Sequence, residues 1–262
     1  MTATLSRVLL TNDDGIDADG LAHLGEIAAE VAHEVWIVAP EVDQSGSSHS
    51  VTLHDPVRCR RLGARHYAVS GTPSDCVLMA TQHLMRDALP EMVLSGINRG
   101  ANVSDSVAYS GTLGGAMTAL VMGVPAIALS QAFHSPEPVP WETARRFAPA
   151  LIRDLAATPW RKDLCFSVNF PAVEPNAVAG RAVCRQGRGS IAGVRIEART
   201  DTRDKPYYWF AFHHDYSAIR APDTDVEALR RHYIAISPLR LERHDESLEA
   251  QLAEHLGAER PR

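Results

Sequence analysis

The sequence lacks the features that mark nucleic-acid-binding proteins and membrane proteins. Its formal net charge is −6 over 262 residues, whereas a protein that binds a nucleic-acid polymer usually needs a basic face to neutralise phosphates. No apolar run in the sequence reaches the roughly 18 residues of a membrane-spanning helix. We therefore expect neither a nucleic-acid polymer nor a membrane as a partner.

Cysteine is also scarce, and its spacing is uninformative. The four cysteines, Cys59, Cys76, Cys165 and Cys184, form no C-x-x-C motif, which argues against a zinc site or a disulfide framework. The first six residues are polar, unlike the apolar segment of a secretory signal. These features predict a cytoplasmic protein with reduced thiols.

Two common phosphate-binding motifs are missing as well. The sequence has no G-x-x-x-x-G-K-[ST], which excludes a P-loop nucleoside triphosphatase, and no G-x-G-x-x-G after its first predicted strand. The hydrophobic content of 45% and charged content of 22% are ordinary for a globular protein. Because no repeat or linker divides the chain, we expect one domain over residues 1–262. Its α/β core would span residues 1–170, and residues 171–262 would form a C-terminal extension.

The segment that organises the chain is residues 7–15, R-V-L-L-T-N-D-D-G. A short apolar run that ends in Asn12, Asp13 and Asp14 is typical of a buried parallel strand at its carboxyl end. Ligands bind at that end of an open α/β sheet. The two adjacent carboxylates would repel each other there, and a hard divalent cation would relieve that repulsion. A solvated turn explains the sequence Asn-Asp-Asp-Gly equally well.

The next segments predict a parallel sheet of the doubly wound type. Apolar residues three and four apart over residues 21–31 indicate a helix, and residues 34–39 indicate a second strand. A polar loop over residues 40–50 follows that strand and offers the hydroxyls of Ser45, Ser47 and Ser48 together with His49. On its own this loop is more simply interpreted as solvated surface.

Two further polar segments follow predicted strands or begin helices. A strand at residues 92–95 leads into the segment that contains Asn98, and Ser110, Gly111 and Thr112 precede a helix over residues 113–122. A helix amino terminus with hydroxyls suits a phosphate, although a plain N-cap is also common. These segments should converge at the carboxyl end of the sheet. Their oxygen-rich side chains favour magnesium or manganese over zinc and predict phosphoryl transfer to water.

Beyond residue 163 the predicted elements are shorter. Residues 164–170 are predicted as the last strand of the main sheet. The following predicted elements are hairpin strands at 183–188, 194–200 and 207–212, a helix at 225–231, a strand at 233–237 and a helix at 246–256. The aromatic residues of segment 207–210 would pack either in a subunit contact or in the ordinary core.

Several ordered motifs closely resemble the SurE family of metal-dependent nucleotidases. They are L-L-T-N-D-D-G-I at 9–16, S-G-S-S-H-S at 45–50, S-G-T-P-S-D-C-V at 70–77, S-G-I-N-R-G at 95–100 and Y-S-G-T at 109–112. The match is ordered over roughly the first 130 residues and looser afterwards. The resemblance implies a three-layer α/β/α fold with a mostly parallel, Rossmann-like sheet and a C-terminal hairpin and helix extension.

The resemblance also implies an activity and a site. The implied activity is hydrolysis of nucleoside 5′- and 3′-monophosphates, with short polyphosphate as a further substrate. One divalent cation per subunit, Mg²⁺ or Mn²⁺, would be held by Asp13, Asp14, Ser45 and Asn98. The phosphate would contact Asn98, Ser110, Gly111 and Thr112. A homodimer or homotetramer would form through the C-terminal region, where residues 187–220 depart most from the family pattern.

Several functional assignments have alternatives at this stage. Asp13 and Asn12 are the predicted catalytic residues, with Asp13 as a general base or a covalent nucleophile, and His49 is a proton donor or a loop histidine. A nucleotide-sugar transferase or epimerase would need a second nucleotide-binding half, which the sequence does not indicate. A non-catalytic nucleotide sensor that uses the same pocket is the main alternative function.

Overall fold

The computed structural model describes residues 5–160, 163–216 and 221–258. Its strands are β1 (Leu5–Thr11), β2 (Ala32–Pro40), β3 (Cys59–Gly63), β4 (His66–Val69), β5 (Met92–Arg99), β6 (Ala126–Gln131), β7 (Leu164–Phe170), β8 (Gly180–Val183), β9 (Ile191–Thr200), β10 (Pro206–His214) and β11 (Tyr233–Arg240). Its α-helices are α1 (Asp19–Val31), α2 (Pro73–Met79), α3 (Gly111–Val121), α4 (Trp141–Ala156), α5 (Asp225–Arg230) and α6 (Glu246–Leu256). None of the helices in the described ranges is both long enough and apolar enough to cross a membrane.

Helices cover both faces of the main sheet. Successive side chains of a strand point to opposite faces, and both sets are apolar, so each face packs against helices. Val8 and Leu10 of β1 pack in one core with the buried faces of α1 and α4, whereas Leu9 packs in a second core with α2 and α3. A strand buried on both faces has this continuous apolar sequence. The result is the three-layer α/β/α arrangement that the resemblance implies.

Within the described residues, the main sheet has nine strands in the order β3-β4-β2-β1-β5-β6-β7-β11-β8. The neighbouring pairs from β4 to β7 are parallel, whereas β11 is antiparallel to β7 and parallel to β8. The prediction that residues 164–170 form the last strand was therefore wrong, since β11 and β8 lie beyond them. The strand expected at 183–188 was misplaced and lies at Gly180–Val183. Both errors arise because pairing with β11 depends on residues far along the chain.

Strands β9 and β10 form a separate antiparallel hairpin that stands away from the main sheet. Tyr208, Trp209 and Phe210 are 56%, 60% and 71% exposed, so the interpretation that they pack in the core was wrong. The carboxylate of Asp105 accepts hydrogen bonds from the backbone N–H groups of Gly189 and Ile191 at the base of the hairpin. These bonds fix where the hairpin leaves the domain.

Helix α2 begins with a capping box. The Thr72 hydroxyl accepts a hydrogen bond from the Asp75 N–H at 3.2 Å, and the Asp75 carboxylate accepts one from the Thr72 N–H at 2.9 Å. The same carboxylate binds the N–H and hydroxyl of Thr52, at 3.0 and 2.7 Å. It therefore anchors the chain just after the polar loop 41–50. Residues 51–58 form no strand, and β3 begins at Cys59.

Candidate active site

The candidate site lies where β1 ends, in the middle of the sheet. Asn12 and Asp13 follow the last residue of β1 and are buried. The Asn12 amide donates a hydrogen bond of 2.8 Å to the carbonyl of Gly15, which closes a tight turn. Gly15 has a φ of +104°, a conformation that favours glycine, and a Cβ there would lie 3.3 Å from the backbone of Val42. The turn and the polar loop 41–50 are therefore in close contact.

Asp13 is a buried carboxylate that is held by a hydroxyl of helix α3. It is 4% exposed, and its Oδ1 accepts a hydrogen bond of 2.6 Å from the Thr112 hydroxyl. Burial raises the pKa of Asp13 to about 6; the Thr112 hydrogen bond opposes that shift, and the Asp14 carboxylate adds to it. A nearby positive charge would stabilise the ionised form of this group.

Asp14 is partly exposed and accepts a backbone hydrogen bond from the strand beside β1. Its Oδ2 lies 3.1 Å from the N–H of Arg99, the last residue of β5. Burial raises the pKa of Asp14, and the Asp43 carboxylate raises it further. In the part of the chain that the structure describes, no group of three or more His, Cys, Asp and Glu side chains is arranged to hold a metal ion. A cation here would therefore also need neutral oxygen ligands.

The polar loop places two serines differently. Ser45 is exposed, and its N–H binds the carboxylate of Asp43 at 2.7 Å. The hydroxyl of Ser47 is buried and makes no hydrogen bond to any described residue. A Cβ built on Gly111 would lie 2.7 Å from that hydroxyl and 2.9 Å from Asp13 Oδ2. Ser47, which the motif comparison does not assign, therefore shares a narrow cleft with Asp13.

The segment Ser110 to Thr112 begins helix α3 against the same cleft. The Ser110 hydroxyl accepts a hydrogen bond of 3.1 Å from the N–H of Leu113, so Ser110 is an N-cap as well as a candidate phosphate contact. A Cβ on Gly111 would lie 2.7 Å from Cβ of Asp13. The first turn of α3 therefore points its positive dipole end at the cleft that contains Asp13.

Asn98 is half-buried near the end of β5 and immediately precedes Arg99, whose N–H binds Asp14. The ladder between β5 and β6 is irregular between Ser95 and Asn98, which turns the end of β5. The Asn98 amide donates a hydrogen bond of 2.8 Å to the carbonyl of Gly100, which directs its oxygen away from that carbonyl. The structure gives no hydrogen bond between Asn98 and either aspartate. The contact between this part of β5 and the aspartates is the hydrogen bond from the Arg99 N–H to Asp14.

A buried network of asparagine side chains holds Thr112 in place, and the sequence analysis did not predict it. The Asn102 amide donates to the hydroxyls of Thr112 and Ser130, at 3.2 and 3.0 Å. Asn169 accepts from the Asn102 N–H at 2.8 Å and donates back to the Asn102 carbonyl at 3.2 Å. An asparagine inside the apolar strand β7 was the available signal. The network holds the hydroxyl that binds Asp13.

The donor groups of this cleft fit a hard divalent cation. They are carboxylate, amide and hydroxyl oxygens, which Mg²⁺ and Mn²⁺ prefer, whereas zinc prefers histidine and cysteine. The Oδ1 of Asn12 and the hydroxyl of Ser47 are buried without a hydrogen bond to any described residue. Two unsatisfied buried oxygens beside a buried carboxylate are the environment that such a cation would stabilise.

The fold and the cleft define a three-layer α/β protein with an oxygen-rich site at the carboxyl end of its parallel strands. A family model described as "Survival protein SurE" matches residues 8–193. The chain belongs to the SurE family.

Proteins named as 5′-nucleotidases are similar to nearly the whole chain. "5′-nucleotidase SurE 1" of Burkholderia lata is 52% identical over 257 residues, which cover 96% of each chain. "5′-nucleotidase SurE" of Bradyrhizobium diazoefficiens is 46% identical over 96% of this chain and 98% of its own. The crystal structure of the SurE protein from Aquifex aeolicus has a TM-score of 0.81 at 29% identity and covers 95% of this chain and 99% of its own.

Proposed function

We propose that this protein is a metal-dependent 5′-nucleotidase that hydrolyses nucleoside monophosphates to a nucleoside and inorganic phosphate. Relatives that are named as 5′-nucleotidases match nearly the full chain. The observation that carries the proposal is the contact between a buried carboxylate, Asp13, and the amino-terminal turn of α3 at Thr112. That contact places an acceptor for protons or cations beside an anion-binding helix end.

The proposed cation ligands are Asp13, Asp14, Ser45 and Asn98, with Ser47 as a second hydroxyl from the same loop. One divalent ion, Mg²⁺ or Mn²⁺, would supply the positive charge that polarises a phosphoryl oxygen. The N–H groups and hydroxyls of residues 110–112, together with Asn98, would bind the remaining phosphoryl oxygens. This assignment places the negative ligand charge beside the positive end of α3, so that a phosphate would contact both the cation and the helix end.

Asp13 would act as the general base, and Asn12 would help to orient the phosphate or the attacking water. The Asp13 carboxylate would take a proton from the water as the water oxygen bonds to phosphorus and the bond from phosphorus to the ester oxygen breaks. The leaving ester oxygen would take its proton from solvent water. Burial and the positive charge of Arg243 lower the pKa of His49, which disfavours the protonated form that a proton donor needs. That environment supports the interpretation of His49 as a loop histidine.

We extend the proposal to nucleoside 3′-monophosphates and short polyphosphate, as the family resemblance implies. The test is phosphate release from a panel of nucleoside 5′- and 3′-monophosphates with Mg²⁺, with Mn²⁺ and with a chelator. We expect release from the 5′-monophosphates that falls by roughly 100-fold or more in the chelator, because a bound cation contributes several kcal/mol to catalysis. Tight nucleotide binding without release under every condition would instead identify a nucleotide sensor.

We also propose that residues 171–262 assemble the protein into a homodimer or homotetramer. The exposed aromatic side chains of β10 and the exposed leucines of α6, Leu248, Leu252 and Leu256, form two apolar surfaces. The three leucines recur every four residues and so share one face of α6. Apolar surfaces of this kind commonly mark protein interfaces.

The unpaired cysteines are consistent with a proposed cytoplasmic location.

Substitution of Trp209 and Phe210 by serine is expected to lower the molecular mass in solution by at least twofold. The change removes two exposed aromatic side chains that would become buried between subunits. Light scattering after size-exclusion chromatography measures the mass directly. The matched control is Leu53→Ser, a similar loss of an exposed apolar side chain outside the hairpin. An unchanged mass in the double variant would exclude the hairpin as an interface.

A further inference from the structure

The hydroxyl of Thr112 lies between two buried groups of opposite hydrogen-bonding character. It donates a hydrogen bond of 2.6 Å to Asp13 Oδ1 and accepts one of 3.2 Å from the side-chain amide of Asn102. A hydroxyl has a single proton, the NH₂ group of an amide only donates, and an ionised carboxylate only accepts. The Asn102 amide therefore leaves the Thr112 proton one direction, towards Asp13. Thr112 is 0% exposed, so solvent does not compete for that proton.

The Asn102 amide cannot turn away from Thr112 without losing other hydrogen bonds. Its NH₂ group also donates to the hydroxyl of Ser130, at 3.0 Å. The backbone N–H and C=O of Asn102 are both bound by the side chain of Asn169 in β7, at 2.8 and 3.2 Å. Asn102, Ser130 and Asn169 are all buried. In a buried network of this kind the hydrogen bonds strengthen one another and specify a single arrangement.

The two carboxylate oxygens of Asp13 have different surroundings. Oδ1 accepts the hydrogen bond from Thr112, whereas Oδ2 lies towards the first turn of α3 and the polar loop 41–50. A Cβ built on Gly111 would lie 2.9 Å from Oδ2 and 2.7 Å from the hydroxyl of Ser47. Oδ2 is therefore the oxygen that faces the cleft. A partial rotation of the carboxylate would turn Oδ2 away from the cleft and lengthen the hydrogen bond from Thr112.

We propose that Asn102 is a positioning residue of the candidate active site, which acts through the Thr112 hydroxyl to keep Oδ2 of Asp13 directed into the cleft. The inference rests on the proposed function, in which Asp13 is a cation ligand and the general base. It extends that function to a residue two hydrogen bonds away from the carboxylate. Groups that hold a metal ligand in its orientation typically contribute about 10- to 100-fold to metal affinity or activity.

The first test measures Mn²⁺ binding by calorimetry without a nucleotide, so that it does not depend on hydrolysis. Asn102→Ala is expected to weaken binding by about tenfold. Thr112→Val removes the hydroxyl and should weaken binding by a similar factor. Because both changes break the same chain of hydrogen bonds, the double variant should bind no more weakly than either single variant. Unchanged Mn²⁺ affinity in Asn102→Ala, or losses that multiply in the double variant, would overturn the inference.

Two further variants separate positioning from a general loss of structure. Ser130→Ala removes the other acceptor of the Asn102 amide and leaves the hydrogen bond from Thr112 to Asp13 in place. Its Mn²⁺ affinity should match that of the wild type even if it melts at a lower temperature. Thr112→Ser keeps the hydroxyl and should restore the binding that Thr112→Val loses. If Ser130→Ala weakened Mn²⁺ binding as much as Asn102→Ala, Asn102 would be a structural residue only and the inference would fail.

Phosphate release separates this inference from the proposed function. At saturating Mn²⁺ we expect Asn102→Ala to lower kcat for nucleoside monophosphates by about tenfold with little change in KM, because the change misplaces Asp13 and removes no group assigned to the substrate. If the wild type hydrolyses nucleotides and Asn102→Ala keeps the full kcat, the inference fails and the proposed function stands. If the wild type releases no phosphate but Mn²⁺ binding follows the expected pattern, the proposed function fails and the positioning of Asp13 by Asn102 stands.

Discussion

Asp13→Asn is expected to lower kcat for nucleoside monophosphate hydrolysis by about a thousandfold or more. The asparagine keeps the size of the side chain and can still accept the hydrogen bond from Thr112. It cannot take a proton from water, a contribution of roughly 10² to 10⁴ in rate, and it removes one negative ligand charge. Steady-state phosphate release at saturating substrate and Mn²⁺ measures the loss. Turnover near that of the wild type would exclude Asp13 as the general base.

The thermal stability of the Asp13→Asn variant provides a control for its folding. The pKa of Asp13 is raised from 3.8 to about 6 by burial, so its ionisation disfavours the folded state. The penalty is absent below the unfolded pKa near 4, grows as the pH rises and is complete above about pH 6. Its full size is about 3 kcal/mol at most. In a chelator at pH 7, Asp13→Asn should therefore melt at a higher temperature than the wild type, and this difference should disappear at pH 4.

Gly111→Ala is expected to lower kcat/KM by about 100-fold, because only a glycine fits where α3 begins. The added Cβ would lie 2.7 Å from Cβ of Asp13 and 2.7 Å from the Ser47 hydroxyl. These distances are too short for carbon, so the helix end, the carboxylate or the loop must move. A displacement of about 1 Å at a reacting centre can cost about 100-fold in rate. Initial rates over a range of substrate concentrations give the change.

The matched control for this prediction is Gly25→Ala in the middle of α1. A Cβ at Gly25 meets no atom within 4 Å, so the change tests the effect of an alanine in a helix without a collision. We expect wild-type kinetics and, from helix propensity, a gain in stability of up to about 1 kcal/mol. If Gly111→Ala also retained full kcat/KM, the close packing of α3 against Asp13 would not matter for the reaction.

Local patterns in the sequence were sufficient for much of the fold. The apolar run before Asn12 predicts β1, and the apolar residues spaced over 21–31 predict α1, because both patterns involve residues that are neighbours in the chain. The alternating residues of β9 and β10 likewise predict the hairpin. The position of β11 between β7 and β8 depends on contacts between distant segments, so no local pattern contains it.

The candidate site was also only partly predictable from the sequence. The sequence identifies which loops should meet at the carboxyl end of the sheet, since that follows from strand direction alone. It does not reveal that the hydroxyl of Ser47 is buried beside Asp13 while Ser45 is exposed, because side-chain direction within a loop depends on its packing. An asparagine within β7 signals a buried polar contact, but its partner Asn102 lies 67 residues earlier, in the loop after β5, so no local pattern predicts the pair.

The ribosome synthesises β11 long after its neighbour β7, and this order has a consequence for the biosynthesis of the protein. While the ribosome is still making residues 171–232, β7 has β6 on one side and an open row of backbone N–H and C=O groups on the other. An open strand edge is a template for pairing with another chain. A chain truncated before Tyr233 would keep that edge permanently, so premature termination should yield aggregates even though every residue of the proposed active site has already been made.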